Sequence, residues 1–247
     1  MNAAAEAALA SVFLVFCRVG GCMMLAPGFS SERVPVRVRL AIALAVSIAA
    51  APLVGVSIEA SQPLRFIGAI ATELAFGLFI GLLGRFFLLA LETLLTAAAL
   101  SIGLGNAMTG GIDADGHVSP LASLGTLAAS MAVFATEAHL DLIRGLVVSY
   151  AVMPAGAAFE AGVGLTQVVD MCTRTFLLSL RLASPFLVYG VVANLAAGLA
   201  NRLAPQAQIY FVATPFILAG GLVLGYLSLK GGFAAYFAEF ADWARRG

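Results

Sequence analysis

"LASPFLVYGVVANLAAGLAN", residues 182–201, runs for twenty residues without a charged side chain. A helix rises 1.5 Å per residue, so about 20 mostly apolar residues cross the ~30 Å hydrocarbon core of a bilayer. The segment therefore reads as a membrane-spanning helix, and the chain around it repeats the pattern. Residues 40–58 (LAIALAVSIAAAPLVGVSI), 118–136 and 203–229 also lack charge, and 7–29 is interrupted only by Arg18. Residues 66–102 are apolar overall but hold Glu73, Arg85 and Glu92. A helix over that whole stretch would be about 55 Å long, so it is either tilted or broken. Within it, Gly77, Gly81 and Gly84 mark one small-residue face, suited to close packing against protein rather than lipid.

Composition agrees with this. Of 247 residues 62% are apolar and 11% charged, with a mean hydropathy of +1.02, whereas a soluble domain carries about 25% charged residues. The expected fold class is an all-α membrane protein with about six long apolar helices, proline breaks and irregular helical hairpins. Residues 137–181 leave room for interfacial or re-entrant helices. A formal net charge of zero argues against a nucleic-acid partner. Residues 1–10 (MNAAAEAALA) lack the basic start of a cleavable signal and read as part of the first span. Cys17, Cys22 and Cys172 show no metal or redox spacing and read as small packing residues.

Pro52, Pro185 and Pro215 fall inside apolar segments, where each removes a donor and crowds the preceding turn. In a membrane such breaks persist only where protein or water satisfies the freed carbonyls. This predicts a crowded bundle. The first loop, SSERVPVRVR (30–39), holds Arg33, Arg37 and Arg39 against Glu32; with Arg202 they are the expected cytoplasmic-side charges. Six spans would then leave Lys230, Arg245 and Arg246 outside, so the positive-inside rule does not fix the C-terminus. Arg18, Glu73, Arg85 and Glu92 stand at bilayer depth, where each costs about 2.5–3.5 kcal/mol or more. Arg85 and Glu92 are two helical turns apart, so partners elsewhere are expected. A proton relay, ion pairs within an assembly, and exposure beyond the lipid are all compatible with these positions.

One polar stretch interrupts the apolar text: GLGNAMTGGIDADGHVSP, residues 103–120. Asp113, Asp115 and His117 alternate like the start of a calcium loop, but Val118 stands where glycine is required and Leu124 where the closing acid belongs. The other histidine, His139, lies beyond a candidate span, which disfavours zinc. GLGN has Asn106 where an aspartyl intramembrane protease needs its acid, and no G-x-S-x-G occurs. No cofactor, metal or catalytic constellation is therefore expected. The glycines, with Asp113-Ala114-Asp115-Gly116 as a turn and Pro120 restarting a helix, make a loop. It is either an ordinary interhelical connector or, at membrane depth, a plug or constriction.

Several of these residues line up with one family. Arg18, Pro27, Phe29, the Val34-Pro35-Val36-Arg37-Val38-Arg39-Leu40 run and Pro52 resemble the start of the FliR/SpaR family of export-gate subunits. Glu73 with Gly77 and Gly81, the glycine-rich loop ending in Pro120, His139-Leu140, Ser149-Tyr150 and Pro154-x-Gly156 resemble its central block. Pro185, Asn194, Gly198, the Asn201–Gln206 run and Pro215 resemble its C-terminal hairpin. Glu137-Ala138 departs from the family, which more often has a small residue such as glycine there, and so does Asn106.

The resemblance implies a non-enzymatic subunit of a type III protein export gate in the bacterial inner membrane, at the flagellar basal body. It would join FliP-type and FliQ-type subunits, with FlhB-type and FlhA-type export proteins nearby, and pass unfolded polypeptide. Residues 1–170 would form a FliP-like part and 171–247 a FliQ-like hairpin. The central loop would be the plug, with Gly105, Asn106, Gly110, Gly111 and Gly116 as its flexible frame. Met108, Ile112 and Val118 would be apolar stoppers, and Asp113, Asp115 and His117 polar tethers. The homologous subunit of a virulence-type system, or an independent small-solute permease using Glu73, Arg85 and Glu92, are the competing readings.

Overall fold

The computed structural model describes residues 3–31, 34–55, 63–104, 120–157, 161–206 and 209–246. Among these residues the chain is helical without strands: α1 (Ala3–Leu25), α2 (Val36–Val54), α3 (Pro63–Ser101), α4 (Pro120–Ala135), α5 (Ala138–Val152), α6 (Ala161–Leu203) and α7 (Ile209–Arg246). Five helices are long and apolar enough to cross a membrane, six if the bent pair α4 and α5 counts as one span. The all-α membrane architecture expected from the apolar runs is what forms.

Residues 66–101 belong to one continuous helix of 39 residues. Pro52, Pro185 and Pro215 lie inside α2, α6 and α7 without ending them. A helix in apolar surroundings continues through a proline where neighbouring protein or local backbone adjustment re-satisfies the freed carbonyl. Pro52 also sits in the last turn of α2, which closes at the left-handed Gly55 (φ 62°). The sharp irregularity falls elsewhere, at a 70° bend between α4 and α5. There Glu137 adopts φ 58°, ψ 13°, and the Leu140 N–H donates back to its carbonyl at 2.8 Å. The stretch 137–181, open in the sequence reading, becomes α5 and the first part of α6.

The helices sort into two compact units. The first comprises Met1–Phe86, Ser130–Met171 and Glu239–Gly247. In it α1 and α3 run side by side in the same direction, and the glycine face of α3 makes the contact. A Cβ on Gly77 would overlap the Arg18 carbonyl, and one on Gly81 would lie 2.6 Å from that of Cys22. Gly84 meets Pro27 and Trp243, and Gly145 of α5 meets the Ala244 carbonyl. Small residues here let backbones approach, the packing mode available where lipid is as apolar as leucine. Helix α2 packs on α1 and reaches α5.

The second unit comprises Phe87–Ala129 and Cys172–Ala238. Its α6 and α7 segments form an antiparallel hairpin in which Leu182 meets Gly232, Tyr189 meets Gly220 and Gly198 meets Tyr210. Its core includes Ala98 and Ile102 of the α3 end with Ala183 and Phe186 of α6. Tyr236 is buried, its ring edge-on to Phe87 and its hydroxyl donating to the Phe87 carbonyl. The most apolar stretch of α7 is only 11% buried within the chain, against 39% for those of α1 and α3.

Candidate functional site

Arg18 and Glu73 are both fully buried. A charge at that depth persists only with a partner and with its remaining hydrogen-bonding capacity spent, and both conditions are met. Arg18 grips Glu73 side-on, through one edge of its guanidinium: Nε donates to Oε2 at 2.8 Å and Nη2 to Oε1 at 3.0 Å. Its other contacts reach α5 and the turn after it, Nη1 donating to Ser149 Oγ at 3.1 Å and Nη2 to the Met153 carbonyl at 2.9 Å. Glu73 also accepts from the Tyr150 hydroxyl at 2.9 Å and from the Gly156 N–H at 3.4 Å. The guanidinium lies 3.6 Å from the centre of the Tyr150 ring and 5.0 Å from that of Phe76, which adds a cation–π contribution.

Local structure explains how these groups meet. Gly77 brings α3 onto the backbone of Arg18, which sets Glu73, one turn earlier, beside the arginine side chain. Ser149 and Tyr150 come from the last turn of α5, and the left-handed Gly156 (φ 75°) turns its N–H toward the carboxylate. The arrangement ties α1, α3, α5 and the 153–156 turn into one polar staple. Both Glu73 carboxylate oxygens are hydrogen-bonded and neither is exposed.

The other charges singled out in the sequence are not part of it. Arg85 and Glu92 are half-buried, and neither joins an ion pair with another described residue. Arg37 and Arg39 stand on the first turn of α2 rather than in the loop before it. Arg37 is exposed, while Arg39 is buried and donates to the Ser31 and Val34 carbonyls at 3.2 and 3.3 Å. Arg202 is exposed in the last turn of α6. Arg33 lies outside the described residues, as does the loop with Gly105, Asn106, Met108, Gly110, Gly111, Ile112, Asp113, Asp115, Gly116, His117 and Val118. His139 is half-buried, its Nδ1 3.4 Å from the Val133 carbonyl and its ring against Phe134.

A second charged cluster was not anticipated. Asp141 of α5 is buried between Arg144 at 3.2 Å and Arg245 of α7 at 2.9 Å. A lone acid four residues into a helix carries no signal of its own in the sequence, and its partner Arg245 is 104 residues away.

The chain matches the family described as bacterial export proteins, family 1, over residues 9–242. It is 34% identical over 220 residues to the flagellar biosynthetic protein FliR of Caulobacter vibrioides, covering 88% of each chain. To the protein of that name from Escherichia coli K12 it is 28% identical over 214 residues, 86% of this chain and 81% of that one. To that of Aquifex aeolicus it is 24% identical over 225 residues, 91% of this chain and 87% of that one. A match along almost the whole length, on a chain of long apolar helices, leaves one conclusion: this chain belongs to the bacterial export proteins, family 1, alongside the FliR flagellar biosynthetic proteins.

Proposed function

We propose that the chain is a structural subunit of the flagellar type III protein export gate in the bacterial inner membrane. It assembles there with FliP-type and FliQ-type subunits around the path of unfolded polypeptide. Export proteins of the FlhB and FlhA type would adjoin it. The observation that carries this beyond family membership is the bare face of α7, whose apolar stretch is 11% buried within the chain. Phe211, Phe216 and Tyr226 there are all largely exposed. Lipid covers part of such a surface, and large aromatics in a helix with Pro215 and paired glycines suit protein neighbours.

On this reading residues 1–170 act as a FliP-like part and 171–247 as a FliQ-like hairpin, and the central loop 105–119 is the plug. Its glycines bend, Met108, Ile112 and Val118 block, and Asp113, Asp115 and His117 tether. The permease alternative has little to work with at Glu73, whose oxygens are occupied by Arg18, Tyr150 and Gly156.

The test is deletion of Gly110 to Gly116 in cells, with export, ion leakage and complex assembly measured together. Leakage through an assembled complex supports the plug. Normal assembly with neither leakage nor export changed removes the loop from the seal. A chain that purifies alone as a monodisperse, solute-binding species overturns the subunit reading altogether.

A further inference from the structure

The last carbonyls of any helix lack an intrahelical partner, and in apolar surroundings each needs one from elsewhere. Helix α3 ends at Ser101, two residues before Gly103, whose φ of 80° turns the chain out of the helix. The Ala98 and Leu100 carbonyls are satisfied locally, by the N–H groups of Ile102 and Gly103 at 3.2 Å each. The Ser101 carbonyl is satisfied from another helix: Asn194 Nδ2 of α6 donates to it at 3.1 Å and to the Gly190 carbonyl at 2.8 Å.

Sterics hold the same spot. A Cβ on Gly190 would lie 2.7 Å from the Ser101 carbonyl oxygen, and one on Gly221 of α7 would lie 2.8 Å from Ile102 Cβ. Ile102 is buried in the cluster with Ala98, Ala183 and Phe186. The two walls of this slot are themselves fixed, because the Tyr189 hydroxyl of α6 donates to the Ile217 carbonyl of α7 at 3.0 Å. Asn194 therefore spends one amide hydrogen on the end of α3 and the other on the Gly190 carbonyl of its own helix, and two glycines clear the space that end occupies.

We propose that the α6–α7 hairpin clamps the C-terminal end of α3 and so sets the course of the chain into the central loop, with Asn194 as the positioning residue. Only Gly103 and Leu104 separate the clamped end from residue 105, so the clamp fixes the point from which the chain leaves α3. The gating consequence rests on the plug reading of residues 105–119; the anchoring does not. Loosening the clamp frees the root of the loop without touching the loop's own residues.

The experiment uses the assembled complex and compares wild type with Asn194→Ala and with Gly221→Ala, whose added methyl presses on Ile102. Hydrogen exchange of the amides of residues 102–104 is read in the purified complex, and ion leakage is read in cells, with assembly monitored in both. The expected result is exchange faster by about five- to tenfold, the scale of one lost hydrogen bond, and leakage through complexes present at normal amounts. Unchanged exchange in both variants overturns the clamp. Faster exchange without leakage, when deletion of Gly110 to Gly116 does leak, overturns its positioning role. Faster exchange when that deletion does not leak supports the anchor and sinks the plug reading instead.

Discussion

The two units of this chain solve the problem of holding helices together in an apolar medium by different means. The fully buried charges among the described residues, Arg18 and Glu73, both belong to the first unit, as do the buried Arg39 and Asp141. Among its described residues the second buries the hydroxyls of Thr175, Ser179 and Tyr236 but no charge, and relies on glycines and aromatic rings. Charge-assisted hydrogen bonds are directional and strong where water is absent, so the first unit is specified by geometry that breaks abruptly. Close glycine packing is spread over many weak contacts, so the second should lose stability in small steps. Specificity is concentrated in one and distributed in the other.

The largest effect should come from Arg18→Ala, which strands the Glu73 carboxylate with only Tyr150 and Gly156 as donors. Removing one partner of a buried pair costs about 3–5 kcal/mol, and the amount of chain in membranes should fall more than tenfold. The double variant Arg18→Met/Glu73→Leu, which buries no charge, should recover most of that loss. Recovery no better than the single variant would show that the pair is not the source of the first unit's brittleness. Next in size is Tyr236→Phe in the second unit. The Phe87 carbonyl keeps its place in the α3 ladder, so the loss should be about 0.5–1.5 kcal/mol, a shift of a few degrees in the melting of the purified complex. A loss as large as that of Arg18→Ala would abolish the contrast. The smallest effect should be Asp141→Asn, because Arg144 and Arg245 are 74% and 68% exposed. Exposed partners are screened, so less than about 1 kcal/mol should be lost, and the difference should shrink as salt rises from about 0.1 M to 1 M.

Much of this was legible in the residues, for physical reasons. Charge-free runs near the length of a bilayer crossing announce helices whatever their partners, which is why the all-α membrane fold could be read directly. The spacing of Gly77, Gly81 and Gly84 marked the face of α3 that receives α1, because close approach demands small residues in register. Arg18 and Glu73 stood out by the cost of their location. Their pairing did not, since 55 residues separate them and no local rule links such positions. Ser149, Tyr150 and Gly156 entered the sequence reading only through family resemblance; their hydrogen bonds to the ion pair depend on α5 folding back across α1 and α3. The prolines pointed to breaks within the spans, and the helices run on through them. Asn194 gave no sign of capping α3, for an asparagine's partner is chosen by the packing of another helix.

The bend at Glu137 carries a consequence for which residues position 137 will accept. A side chain held at φ 58° pays a steric cost of about 1–2 kcal/mol that glycine avoids, partly offset by glycine's greater freedom in the unfolded chain. Saturation mutagenesis read by membrane abundance should therefore rank glycine at or above the native glutamate, with asparagine close behind. Valine, isoleucine and proline should fall at the bottom, since they tolerate that backbone least. The profile at 137 would then follow backbone shape rather than polarity, the inverse of what its neighbours in α4 and α5 should display.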